Sequence, residues 1–280
     1  MDHDPMDHDT MDHDTMPGAI AWVEGHWGAP GALRLPLDDR GLSLGDGVFE
    51  TLLLRDGTPR ALDEHLLRWQ AGARLLQLPP PPDAEQLRPL VAEAVERSGL
   101  RAGALRLNWS AGGGGRGLNR PIPCGGRFWF SLHQHNPGHQ PLRVVVSRQL
   151  RRQAGDPLGA CKTLAYTQSV LARLEARQRG ADDALLRSSD GSLCCGSSAN
   201  LLLADPTGGW LTPPLASGCL PGIMRSRCLA LGLAREAALP SELPGDRPAL
   251  LLNSLDCRPL QADGSDGARE LFERLLAAGP

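Results

Sequence analysis

The chain has 280 residues, 41% of them hydrophobic, and a net charge of −3. That is enough apolar material for one large or two modest cores, and the charge gives no whole-chain attraction for nucleic acid or anionic lipid. Its apolar runs are too short to span a bilayer, and no basic stretch leads into an apolar one at the start, so neither a membrane span nor a secretion signal is expected. The seven cysteines are odd in number and scattered, which suits free thiols in the cytoplasm better than a disulfide framework.

The opening "MDHDPMDHDTMDHDTM" repeats a five-residue unit. Asp and His could hold a transition metal weakly. A polar repeat of this kind has no apolar face to offset its ordering entropy, so residues 1–17 are read as a disordered leader, with Met16 a candidate start. From "AIAWVEG" onward, strand and helix patterns alternate. "GVFETLLLRDG" alternates and stops at Asp-Gly, a hairpin signal. Asp63 is placed to cap a helix with Leu66, Trp69, Ala73 and Leu76 on one stripe. "LPPPPD" ends that helix, and Asp83 starts another running to about Ser98. The strands "ALRLNWS" and "RFWFSLH" follow, joined by a glycine-rich loop, and "NPGHQP" reads as a linker. Beyond it come the strand "LRVVVS" and a helix over "KTLAYTQSVLARLEARQRG", with Leu164, Leu171 and Leu174 on one stripe and Gly180 closing it. The strands "DALLRS", "SLCC", "NLLLAD" and "GWLTPP" come next. Then follow a helix over "PGIMRSRCLALGLAREA", a buried strand "ALLLNSL" and an amphipathic helix "ARELFERLLAA". The pattern is α+β, in two domains.

Four places could carry chemistry. Lys162 is the only lysine. A partly desolvated lysine amine can form a Schiff base, which arginine cannot; the plain alternative is a surface lysine. In "LPGIMRSR", Gly222, Ile223 and Met224 sit at a helix start, where free N–H groups and the positive dipole end can hold a phosphate; the alternative is an ordinary turn. Arg116, at the tip of "SAGGGGRGLNRP", could clamp a carboxylate or simply be solvated. Arg68 could meet a phosphate or water.

Together the pieces "DDRGLSLGDGVFET", "DEHLLRW", "KTLAYTQSVLARLEARQRGADDALL", "DGSLCCGSSANLLL" and "TPPLASGCLPGIMR" resemble, in order, the class IV aminotransferases that depend on pyridoxal 5'-phosphate (PLP). That family includes branched-chain aminotransferases, D-amino acid aminotransferases and aminodeoxychorismate lyases. The resemblance implies a small N-terminal α/β domain, a larger C-terminal pseudo-barrel domain, PLP between them and a homodimer. The boundaries expected are 1–17 for the leader, 18–137 for the small domain and 138–280 for the PLP-binding domain. Lys162 matches the lysine that holds PLP covalently and then moves protons at the substrate. Arg68 matches the arginine of the cofactor phosphate, Ile223 and Met224 the helix-start amides on the same phosphate, and Ser254 a hydroxyl for it. Tyr166 matches a tyrosine at the cofactor's phenolic oxygen. Arg116, Glu50 and Ser198 are expected at the substrate.

One position departs from the pattern. Where relatives place a glutamate five residues before the asparagine of "GSSAN", this chain has Cys195. The glutamate pairs with the pyridine nitrogen and helps the ring absorb carbanion charge. A thiol is neutral near pH 7 unless lowered from about 8.5. Elimination demands less of the ring than transamination, so the expected activity is an aminodeoxychorismate lyase making 4-aminobenzoate, a folate precursor. The alternatives are an aminotransferase for branched-chain or D-amino acids, favoured by Glu50, and a non-catalytic relative. Cys194 and Cys195 alternate across a strand, so only one of them should face the cofactor.

Overall fold

A computed structural model describes residues 18–115, 117–260 and 263–278. The N-terminal repeat and Arg116 lie outside the described residues. The first half runs β1 (Ile20–Val23), β2 (His26–Gly28), α1 (Arg40–Leu44), β3 (Gly47–Arg55), β4 (Thr58–Pro59), α2 (Leu62–Leu75), α3 (Ala84–Ser98), β5 (Ala102–Ser110) and β6 (Arg127–Gln134). Its strands form one antiparallel sheet in the order β2-β1-β6-β5-β3-β4.

The two-residue period of β3 decides what goes where. Val48, Leu52 and Leu54 face one way and join Leu105 and Leu107 of β5, Leu66 and Trp69 of α2, and Leu87 and Val91 of α3 in one core. Leu53 faces the other way and joins a second core with Leu202, Met224 and Cys228. Phe49 and Thr51 share the Leu53 face, as do their cross-strand partners Asn108 and Arg106. One sheet therefore divides a helix-covered core from the second half of the molecule.

The second half runs β7 (Val144–Arg152), α4 (Thr167–Gln178), β8 (Asp183–Ser188), β9 (Leu193–Cys195), β10 (Asn200–Ala204), β11 (Trp210–Thr212), α5 (Ile223–Ala230), β12 (Ala234–Glu236), β13 (Ala249–Leu252), β14 (Cys257–Pro259) and α6 (Ser265–Ala277). The main path of its sheet is β12-β11-β10-β9-β8-β7, with β13 also pairing β10 and β14 pairing β13. The β7–β8 and β11–β12 pairs are parallel. The connection between the two sheets carries no strand among the described residues, and the proposed domain division at residue 137 falls in it.

Several local expectations need correcting. Ala61, in the left-handed region at φ 53, caps α2, and Asp63 sits inside its first turn, where a carboxylate meets the positive dipole end. The helix placed over "KTLAYTQS" starts only at Thr167. Before it, Lys162 is extended against β3: Phe49 N–H donates to Lys162 O at 2.9 Å and Leu164 N–H to Gly47 O at 2.9 Å. Sheet hydrogen bonds outcompete the helix there. α4 buries Ser169, Ala172 and Ala176, while Leu171 and Leu174 are exposed. Small residues let the helix lie close on β7 and β8, so the leucine stripe faces out. The segment read as one helix after Pro221 breaks at Gly232, with φ 64, and β12 follows. Among the elements not foreseen is α1, which Asp39 caps by accepting from the N–H groups of Gly41 and Leu42.

Candidate active site

A cavity of about 270 Å³ opens between the Phe49 face of the first sheet and the β9–β10 and α5 ends of the second half. Its lining includes Lys162, Tyr166, Arg68, Ile223, Ser254, Cys195 and Ser198. Seven of the ten residues that the family resemblance places at the cofactor or substrate thus meet in one place. Met224 sends its side chain into the second core, and only its backbone stands at the start of α5. Arg116 is not described. Glu50 is the clear correction. It is fully buried on the helix face of β3, because Phe49 and Thr51 claim the cavity face.

Lys162 and Tyr166 are the only lysine and the only tyrosine of the chain, and the Lys162 Nζ donates to the Tyr166 hydroxyl at 3.2 Å. The same Nζ lies 4.2 Å from the centroid of Phe49, whose ring meets Tyr166 edge-on at 5.1 Å. The extended run before α4 places the amine: its pairing with β3 points Lys162 along the cavity, and Tyr166 follows as the residue that caps α4.

Arg68 stands at the other end, held by three bonds. Its Nε and Nη2 donate to the two oxygens of Glu50 at 2.8 and 2.6 Å, and its Nη1 donates to Pro221 O at 2.9 Å. Two of the five guanidinium N–H groups have no partner among the described residues and are free for an anion in the cavity. Glu50 also meets His65 Nδ1 at 2.7 Å. Burial alone would raise the Glu50 carboxyl, but the Arg68 guanidinium and His65 bring it down to about 2. Burial pushes His65 down, against the pull of Glu50, so its neutral ring donates through Nδ1. Arg68 is thus a braced cation whose remaining donors face inward.

Beside Arg68, α5 begins. Gly222 is its N-cap, and the first amides of a helix have no partner within it. A Cβ on Gly222 would come within 2.0 Å of Asn200 Oδ1, and Asn200 is itself fixed by donating Nδ2 to Leu220 O at 2.9 Å. Only glycine lets the β10 strand come this close to the helix start.

Sequence reasoning missed two cations in the lining, Arg106 and Arg152. Arg106 crosses the Phe49 ring at 3.7 Å and donates Nε to Asn108 Oδ1 at 2.9 Å. Among the described residues it has no carboxylate partner, and burial lowers its guanidinium. The strand period could have found it, since Arg106 pairs with Thr51, two residues from Phe49. Arg152 ends β7 and donates Nη1 to Gln168 Oε1 at 2.7 Å. Cys195 lines the cavity whereas Cys194 does not; Cys194 donates instead to Ser217 O at 3.3 Å.

The residues fit PLP. A lysine amine stands in a cavity with a braced arginine, a glycine-opened helix start and the Ser254 hydroxyl, the donor set that a phosphorylated aldehyde requires. An α+β fold with these features defines a PLP-binding protein. Residues 47–261 match the family model for amino-transferase class IV, and the chain belongs to that family of PLP-dependent enzymes. It is 33% identical over 210 residues to a putative branched-chain-amino-acid aminotransferase of Methanocaldococcus jannaschii, covering 74% of this chain and 71% of that one. It is 32% identical over 214 residues to a bifunctional aminodeoxychorismate lyase / D-amino acid transaminase of Mycobacterium tuberculosis, covering 70% and 71%. Among solved structures, a PLP-bound hypothetical aminotransferase from Mycobacterium tuberculosis superposes with a TM-score of 0.77 at 26% identity over 92% of this chain and 99% of that one. A putative 4-amino-4-deoxychorismate lyase from Legionella pneumophila does so with a TM-score of 0.77 at 25% identity over 87% and 96%. No helix among the described residues is long and apolar enough to cross a membrane.

Proposed function

We propose that the chain converts 4-amino-4-deoxychorismate to 4-aminobenzoate and pyruvate. The observation that carries this reading is Cys195 at the cavity position where the family pattern has a carboxylate. PLP, when bound, withdraws electrons from the carbon that bears the amino group. Lys162 takes the proton lost at that carbon, with Tyr166 accepting a hydrogen bond from its amine. The C–O bond to the enolpyruvyl group breaks, the leaving enol collects a proton to become pyruvate, and the ring becomes aromatic. Expulsion of a leaving group asks less of the cofactor ring than reprotonation at a second carbon does. Arg106 holds a substrate carboxylate, a role for which the sequence had offered Arg116. Arg68, the amides at the start of α5 and Ser254 hold the cofactor phosphate, and Ser198 stands at the substrate side.

A second reading, transamination of a branched-chain or D-amino acid, draws support from Glu50, which braces Arg68 as a carboxylate, and from the transaminase names among the relatives. The two are separated by supplying 4-amino-4-deoxychorismate in one assay and amino acids with 2-oxoglutarate in another. Pyruvate and 4-aminobenzoate in equal amounts, without amino transfer, support the lyase. Amino transfer without pyruvate release overturns it.

A further inference from the structure

The groups proposed for the cofactor phosphate come from two halves of the molecule: Arg68 from α2, and the free amides from the start of α5. Among the described residues, two polar ties join these segments. In the first, Arg68 Nη1 donates to Pro221 O at 2.9 Å. The second lies one helical turn earlier on α2, where Glu64 meets Arg227 of α5. Arg227 donates Nε to Glu64 Oε1 at 2.9 Å and Nη2 to Glu64 Oε2 at 2.6 Å, a two-pronged pair. Its Nη1 donates to Leu275 O at 2.6 Å, one of the last carbonyls of α6, which lack a partner within that helix. One guanidinium thus ties together α2, α5 and α6.

We infer that Glu64 and Arg227 are a positioning pair for the phosphate site: they set where the start of α5 stands relative to Arg68. Glu64 and Arg68 are four residues apart on α2 and so share one stripe. Arg68 engages the residue just before the Gly222 cap, and Glu64 engages the last turn of α5. The two contacts run in opposite chain directions along the two segments. The apolar face of α5 does not fix this register. Met224 and Cys228 pack with Leu271, Phe272 and Leu275 in the second core, and such packing is non-directional. A fork between a planar guanidinium and a carboxylate has a set direction, and together with the Arg68–Pro221 bond it holds α5 near both ends. Glu50 braces the guanidinium of Arg68; Glu64, through Arg227, places the amides with which that guanidinium shares the phosphate. Neither Glu64 nor Arg227 lines the cavity, so both act through other groups.

This role rests on the reading that Arg68 and the α5 amides hold the cofactor phosphate; it does not depend on the choice between elimination and transamination. Lys162 stands on the extended run before α4, on neither α2 nor α5. Loss of the pair should therefore weaken PLP, while pyridoxal, the same aldehyde without its phosphate, should bind Lys162 as before. A general loss of fold would weaken both alike.

The test titrates the full chain, freed of cofactor, with PLP and separately with pyridoxal, following the visible band and trapping each adduct on Lys162 with borohydride. Glu64→Gln is the principal variant, because Glu64 is half-buried whereas Arg227 is buried and also closes α6. It should weaken PLP about tenfold and leave pyridoxal within about twofold of wild type. Arg227→Gln should show the same split. The double variant should lose no more than about twofold beyond the larger single loss, because the two residues act as a unit. Arg68→Gln is the control for the site and should cut the preference for PLP over pyridoxal at least as deeply. Equal PLP affinity in Glu64→Gln and wild type, or equal losses for PLP and pyridoxal, would overturn the positioning role. A preference for PLP undiminished in Arg68→Gln would overturn instead the phosphate assignment beneath it, so the two failures are distinguishable.

Discussion

Replacing Glu50 with glutamine keeps the shape of the side chain and removes its charge. The carboxylate accepts two bonds from Arg68 and one from His65. An amide offers one oxygen, and whichever way it turns its NH2 faces an Arg68 N–H, because Arg68 donates to both carboxylate oxygens. The carboxyl lies at about 2 against 4.5 when unburied. At about 1.4 kcal/mol per tenfold in proton affinity, that difference contributes about 3 kcal/mol at pH 7. Breaking a buried ion pair from one side costs about 3–5 kcal/mol. Glu50→Gln should therefore lower the melting temperature by about 6–12 °C at about 2–4 °C per kcal/mol. It should also weaken PLP binding about tenfold, because Arg68 loses its brace. The sign of the pH dependence follows from the lowered carboxyl. Its contribution is fully present above 4.5 and is lost as pH falls toward 2, so the gap between wild type and variant should close across that window. Thermal melts from pH 7 down to 3, with and without PLP, measure this. A Glu50→Gln protein that melts within about 1 °C of wild type and binds PLP equally well would refute the bracing argument.

Lys162→Ala should abolish the visible cofactor band, and borohydride with PLP should add no mass; a stable adduct on this variant would place the reactive amine elsewhere. Gly222→Ala should weaken PLP binding about tenfold by titration, since the added Cβ meets Asn200 Oδ1 within 2.0 Å and overpacking costs about 1–3 kcal/mol. Unchanged affinity would show that β10 yields at that point. Arg106→Gln should raise KM for the carboxylate substrate about tenfold or more, the loss of about 1.5–3 kcal/mol from a charged hydrogen bond, with PLP affinity within about twofold of wild type. A kcat effect with KM unchanged would remove Arg106 from substrate binding.

Much of this site was legible because its parts are local. The helix start at Gly222, the lysine in "ACKTLAY" and the loop "GSSAN" each carry their meaning within a few residues. The strands of the first half were legible through their period. The start of α4 was not, because residues 162–164 pair with β3 across the chain and a local pattern cannot weigh that competition. The face of α4 was misjudged for a related reason. Leucines at helical spacing suggest a core, but the close approach to β7 and β8 selects alanine and serine. Glu50 was misplaced although the period of β3 already excluded it from the cavity: with Phe49 and Thr51 facing in, the residue between them faces α2.

Cys195 marks where local reading stops. The sequence shows that a carboxylate is missing from the end of β9, and taken alone that argues for a weakened electron sink. It cannot show that Arg152, far along the chain, lines the same cavity, because that depends on β7 and β9 flanking β8.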